Sequence, residues 1–433
     1  MDIQIKELEK QEFKKRDKEL CLIASEGFPS EHVLDAQSSI FSLKYAEGRA
    51  DKRYYCGCEI FDKMEKMCEQ ELLKLFNAPE DYNALVQPHS GTQANMIVYG
   101  AILKPNDVIL APDVKDGFSH ISHSHPLSFI GKYHNVVTYG SKNGFINYEE
   151  IEELALKHNP KLIIIGFSAY SRTIDYKRVK NIADKVKAYT LADIAHISLL
   201  VATGLHPSPL NYSFDFVSST THKMLNGSRG GILMYKKEFE KDITRGLIPF
   251  VQGGPLGNMI LGKLACFKEM NSKKGLELAK KIIKNANTMS QVFIQNNIDI
   301  VSGGTDNHLM IIDLTKDFAV SGKQLSLIFE DCGLILNCNS LPNDKRSFME
   351  TSGLRIGVQF ITRRGLNPEE CSELAQYMSD IILLYKDGKT PNDEILQKHK
   401  NKLRVYVEDC CKKYPLKDFY PKMYNELFEA KEL

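Results

Sequence analysis

The chain has no long apolar run. Stretches such as Leu162 to Ile165 end after a few residues, far short of the roughly 20 that a bilayer span requires. It has no excess of charge of either sign: Lys plus Arg number 56 against 55 Asp plus Glu, a formal net charge of +1, so no global field favours nucleic acid or an anionic membrane. It has no cysteine framework, because its ten cysteines are scattered through 433 residues and read as reduced thiols. Neither Cys56-Gly-Cys58 nor Cys410-Cys411 is matched by a second Cys/His pair at zinc spacing, so no metal site is expected. Residues 1–18 are crowded with Lys and Glu and carry no apolar segment of the kind a secretory signal needs. These absences predict a cytoplasmic protein with neither a membrane nor a nucleic-acid partner.

What is present is a foldable composition. Hydrophobic residues at 43% and charged residues at 26% are too apolar a mixture for a disordered chain, and the length allows more than one domain. Residues 5–20 read as a polar helix with a narrow apolar stripe, an arm more than a core element. From Asp62 onward helical and strand patterns alternate. Asp62 to Phe76, Tyr148 to His158 and Tyr176 to Lys187 have helical spacing, whereas Val108 to Ala111, Leu162 to Phe167, Tyr189 to Ile194, Phe214 to Ser219 and Gly230 to Tyr235 read as buried strands. Helices between strands imply crossovers, hence an α/β domain with a mainly parallel sheet. After residue 270 the texture changes to a Lys-rich helix from Lys273 to Asn296, strands around Ile298 to Val301 and Leu309 to Leu314, and a helix near Gly322 to Cys332. The expected organisation is an N-terminal helical arm (residues 1–45), a large α/β domain (46–270) and a smaller α+β domain (271–433).

Three local patterns carry chemistry. In Ser218-Ser-Thr-Thr-His-Lys223 a single lysine follows a strand and precedes a Gly-rich turn. A loop of that kind can hold an amine close to a carbonyl compound for Schiff-base formation, although a solvated lysine is the commoner outcome for any one such context. In Tyr189-Thr-Leu-Ala-Asp193-Ile-Ala-His196 a carboxylate ends an apolar strand. Its burial needs a cationic partner such as a pyridinium nitrogen, or else it serves as a turn cap; His196 alone reads as a structural histidine. In Gln87-Pro-His-Ser90-Gly91-Thr92-Gln-Ala-Asn95 a small-residue turn opens a helix at about Met96, which suits a phosphate dianion or a plain N-cap. Open α/β sheets gather ligands beyond the carboxyl ends of their strands, where Asp193 and the loop before Lys223 should meet.

Together with Leu22-Ile-Ala-Ser25-Glu26, Lys44-Tyr-Ala-Glu47-Gly48, Lys52-Arg-Tyr-Tyr55, Gln252-Gly-Gly-Pro255, Ser302-Gly-Gly-Thr-Asp-Asn-His308 and Ser352-Gly-Leu-Arg355, these patterns make the sequence resemble the serine hydroxymethyltransferases from about Leu22 to Gly365. The resemblance implies the aspartate aminotransferase fold of type I, with a seven-stranded large domain, and pyridoxal 5'-phosphate as cofactor. It implies that Lys223 tethers the cofactor, that Asp193 pairs with its ring nitrogen and that His120 stacks on the ring. Ser90, Gly91 and Thr92 would bind phosphate, with Gly254 contributed by a neighbouring subunit, while His196, Ser168, Thr220 and His222 would line the cofactor. Arg355, helped by Ser25, would take the carboxylate of a small amino-acid substrate, and Glu47 and Tyr55 would serve proton transfer and positioning across a homodimer interface.

The implied reaction is reversible cleavage of the Cα–Cβ bond of a β-hydroxy amino acid with one-carbon transfer to tetrahydrofolate. The alternative is a folate-independent threonine aldolase or transaldolase. The segment Lys115-Asp-Gly-Phe118-Ser119-His120-Ile121 bears on that choice, because the family pattern has a Gly pair where Phe118 and Ser119 stand. The added side chains are expected to crowd a flat pterin, whereas Asn339 and Ile121 keep residue types that favour one.

Overall fold

In the computed structural model, residues 3–347 and 349–429 are described. By internal contacts the chain divides into two compact units, His32–Lys280 and a second formed by residues up to Glu31 with those from Lys281 onward. The boundary falls within the helix Lys273–Gln295.

The His32–Lys280 unit is built on strands β1 (Tyr82–Leu85), β2 (Val108–Pro112), β3 (Asn135–Tyr139), β4 (Leu162–Ile165), β5 (Tyr189–Asp193), β6 (Phe216–Thr220) and β7 (Gly231–Lys236), in the order β1-β7-β6-β5-β4-β2-β3. All neighbours pair in parallel except β7, which runs antiparallel to both β6 and β1. Strands covered on both faces need apolar residues at every position, and β4 (Leu-Ile-Ile-Ile) is buried throughout. The helices include α1 (Glu59–Leu75), α2 (Gly91–Ile102), α3 (Tyr148–His158), α4 (Tyr176–Val186) and α5 (Gly257–Met270). α3 and α4 end on Asn159 and Lys187 in the left-handed conformation, and α4 shows a clean apolar face of Val179, Ile182 and Ala183.

One sheet core gathers Ile109, Ile164, Leu191, Phe216, Leu233 and Tyr235. Phe216 is fully buried, and its ring packs at a tilt 4.8 Å from that of Phe239. Phe216→Ala should cost about 3–5 kcal/mol, read as a lower denaturant midpoint at constant slope; a loss under about 1 kcal/mol would mean the site collapses around the gap.

In the second unit, β8 (Leu309–Asp313), β9 (Asn337–Asn339) and β10 (Gly353–Gly357) form a sheet in the order β8-β10-β9. They are accompanied by α6 (Pro368–Leu383) and α7 (Asp393–Lys413). The N-terminal helix Ile3–Asp17 buries Phe13, whose ring lies 5.6 Å from Phe428. The strand expected around Ile298 to Val301 does not form. Ile300 makes a single isolated bridge to Ile312, because Asn297 and Ser302 both take positive φ and turn the chain at each end. Among the described residues no helix is long and apolar enough to cross a membrane, and the cysteines are free thiols.

Candidate active site

The fold brings one end of each parallel strand to the same edge. β5 ends on Asp193, β6 ends on Thr220 with Lys223 three residues beyond, β4 precedes Ser168, and β1 leads through Gln87 to Ser90. Because β7 is reversed, its first residue, Gly231, starts there too. An open cavity of roughly 190 Å³ at this edge has Lys223, Asp193, His120, His196, Ser90 and Thr220 on its wall. Gly91, Thr92, Ser168 and His222 also line it.

Asp193 is fixed from three sides. Oδ1 accepts from the Ala195 N–H at 3.1 Å, and Oδ2 accepts from Asn95 Nδ2 at 3.0 Å and lies 3.1 Å from His123 Nε2. Ser218 Oγ donates in turn to Asn95 Oδ1 at 2.5 Å. Burial opposes ionisation of Asp193, but the hydrogen bond and charge of His123, the Asn95 amide and the charge of Lys223 outweigh it and hold the carboxyl well below its usual range. A fixed anion at a strand end therefore faces the cavity.

Lys223 Nζ sits 3.1 Å from His196 Nε2, so the histidine beside the amine comes from the loop after β5. The sequence neighbour His222 instead has its Nδ1 3.4 Å from the Gly230 N–H. Burial first, then the charges of Arg229 and Lys223, lower the His222 pKa to about 4. A histidine depressed on folding binds fewer protons than in the unfolded chain, so its contribution to stability is complete above about pH 6.5 and is lost as pH falls towards 4. Denaturation of the parent and His222→Asn across that interval should show the parent losing stability faster; parallel curves would refute a buried neutral imidazole.

Ser90 caps α2, accepting from the Gln93 N–H at 3.1 Å, and the amides of the first helical turn have no intrahelical acceptor. A Cβ on Gly91 would lie 2.7 Å from Thr220 Cγ2, so glycine is required for the helix start to approach β6. Thr220 Oγ1 is buried without a hydrogen-bond partner among the described residues, an unspent donor on the cavity wall. His120 precedes a short helical turn and has Nδ1 2.7 Å from Ser122 Oγ. Ser168 is held by the Phe118 and Ser119 carbonyls, which accept from its hydroxyl at 3.3 and 3.2 Å.

Glu47, Tyr55 and Gly254 are not on this wall. They gather in a second cluster. Tyr45 Oη donates to Glu47 Oε1 at 3.3 Å, the Tyr45 and Tyr55 rings lie 4.9 Å apart, and Gly254 faces the Tyr45 ring. In the other unit, Arg355 on β10 donates from Nε to Asn337 Oδ1 at 3.2 Å, and burial lowers its pKa to about 10. Ser25 is half-buried near the short strand Leu20–Cys21. The Phe118 ring is buried, lies 6.0 Å from that of Tyr170 and is not on the wall of the cavity around Lys223. Sequence reasoning gave no role to His123, Asn95, His89, Phe167 or Arg229, all of which support or line the site. The one available signal was the three-residue spacing of His120 and His123.

A single reversed strand in a seven-stranded sheet, an amine beyond one strand and a fixed carboxylate at the end of the next define the class: a coenzyme-dependent transferase of fold type I. Residues 1–378 match the profile of the serine hydroxymethyltransferase family. The chain is also 43% identical over 416 residues, 96% of each protein, to the serine hydroxymethyltransferase of Coprothermobacter proteolyticus. The chain belongs to the serine hydroxymethyltransferase family. Enzymes of this family use pyridoxal phosphate, with tetrahydrofolate as co-substrate. The likeness supports the hydroxymethyltransferase reading over the threonine aldolase one.

Proposed function

We propose that the protein is a cytoplasmic, homodimeric serine hydroxymethyltransferase that interconverts serine and glycine with tetrahydrofolate as one-carbon carrier. The observation that carries this reading is the convergence of Lys223, Asp193 and the Ser90 turn on one cavity in a chain of this family. The donor set suits pyridoxal phosphate: an amine, a fixed anion, a helix N-terminus and the unspent Thr220 hydroxyl. When bound, the cofactor supplies an electron sink that lets the Cα–Cβ bond of a β-hydroxy amino acid break.

The chain's own residues do the rest. Lys223 would tether the cofactor, Asp193 would hold a proton at its ring nitrogen, Ser90, Gly91 and Thr92 would receive its phosphate, and His120 would lie beside the ring. Ser168, His196, Thr220 and His222 complete the lining. Arg355 offers a planar fork to the substrate carboxylate, helped by Ser25, and its desolvation strengthens that pairing. Glu47 exchanges a proton with the substrate hydroxyl, and Tyr55 positions it.

The second cluster supports the dimer. Ile40, Leu43, Tyr45, Tyr54, Tyr55 and Ile60 are all exposed in one short segment around Glu47, an apolar surface that a second copy would cover. Glu47, Tyr55 and Gly254 of one subunit then complete the cavity of the other. Tetrahydrofolate-dependent formation of glycine from serine tests the activity; no stimulation by tetrahydrofolate would reject it. Shared sites make a second prediction. Equal amounts of inactive Lys223→Ala and Glu47→Gln subunits, allowed to exchange, should recover about one quarter of the parent activity, because half the dimers are mixed and each has one intact site. No recovery would place Glu47 in its own subunit's site.

A further inference from the structure

Lys263 lies on α5, 1% exposed, and has no carboxylate at ion-pair distance among the described residues. Its ammonium instead donates to three backbone carbonyls, Val86 at 2.6 Å, Pro88 at 3.0 Å and Gly231 at 2.9 Å. A buried cation is costly unless its protons are satisfied and its charge is used. Here all three acceptors belong to the segments that build the anion cradle: the turn from β1 into Ser90, and the first residue of β7. Gln87, between two of these acceptors, points its amide elsewhere, to Gly48 O at 2.9 Å and Glu65 Oε1 at 2.8 Å, so the turn is gripped from both sides. The backbone is shaped around the lysine. A Cβ on Gly230 would lie 2.5 Å from its Nζ, and one on Gly231 would collide with the Ser90 carbonyl.

The charge also reaches the cavity. After burial, Lys263 contributes to lowering the pKa of His89, and it adds to the stronger influences on His222; both residues are on the wall.

We propose that Lys263 is a positioning residue for the phosphate end of the cofactor: it fixes the Val86–Ser90 turn against β7 and supplies positive potential behind a bound dianion. This rests on the reading of Ser90, Gly91 and Thr92 as the phosphate site. Phosphate affinity therefore depends on Lys263, whereas recognition of the pyridine ring and aldehyde does not.

The test is the dissociation constant of the full-length protein, freed of cofactor, for pyridoxal 5'-phosphate and separately for pyridoxal. Lys263→Met, which keeps length and removes charge and donors, should weaken pyridoxal phosphate by at least about tenfold and pyridoxal by less than about twofold. Inorganic phosphate should raise the melting temperature of the parent and do so less for the variant. Unchanged affinity for pyridoxal phosphate, or an equal loss for both compounds, would overturn the proposal, the latter marking Lys263 as packing alone. A parent protein that does not prefer the phosphorylated compound would instead overturn the phosphate site itself. If Lys263→Met does not fold, Gly230→Ala displaces the same ammonium and should show the same selective loss.

Discussion

Lys223→Ala should lower tetrahydrofolate-dependent conversion of serine to glycine by at least about a thousandfold while leaving the chain folded. The residue is half-buried in a loop beyond β6 and is not part of the sheet core, so shortening it opens no large core cavity. What would be lost is the amine proposed to fix the cofactor, and among the described residues no other lysine lines the cavity to replace it. The buried ammonium of Lys263 is turned away, into three carbonyls. Borohydride reduction of the parent holoenzyme followed by mass spectrometry should find the label on Lys223, and on no residue in the variant. Turnover at the parent rate, or a label elsewhere, would end the present reading of the site.

Asp193→Asn should reduce activity on the order of a hundredfold to a thousandfold and also change acid stability. The substitution keeps shape but removes the charge on which His123 and Asn95 converge. Asparagine cannot accept from both donors as well, so the pocket loses a charge-assisted hydrogen bond worth about 1.5–3 kcal/mol. The direction with pH follows from linkage. A carboxyl depressed on folding contributes stability that is fully present above its unfolded value of about 3.9 and is lost as pH falls further. The stability gap between parent and Asp193→Asn should therefore be constant near neutrality and close on acidification below about pH 4. A gap that persisted at the lowest pH at which the protein folds would mean that packing, not the ionised carboxylate, is responsible.

Legibility from sequence differed by element for physical reasons. α3 was bounded correctly as Tyr148–His158 because a clear apolar period coincides with end signals. β4 was legible because a strand covered on both faces is apolar throughout, and β5 because its interior residues are buried ahead of the terminal Asp193. β1, Tyr-Asn-Ala-Leu, and β3, Asn-Val-Val-Thr-Tyr, were not: each mixes polar and apolar residues and is fixed by a neighbour, β1 by β7 and β3 by β2. The start of α2 at Gly91 was hidden because its first turn is small and polar, suited to an anion more than to a core. Phe118 shows the converse limit. Its residue type announces bulk, but only the tertiary structure decides that the ring is buried beside Tyr170.

The amino-acid order alone established the parallel α/β class, the lysine, the carboxylate and the small-residue turn, since each depends on side-chain type and local spacing. It could not reveal that His196, and not His222, meets the amine, nor that His123 and Asn95 hold Asp193 ionised, nor that a buried lysine on α5 braces the Ser90 turn. Those partners lie 27 to 177 residues apart in the chain. Only the closing of the sheet, which brings successive strand ends to one edge, puts them within hydrogen-bond reach.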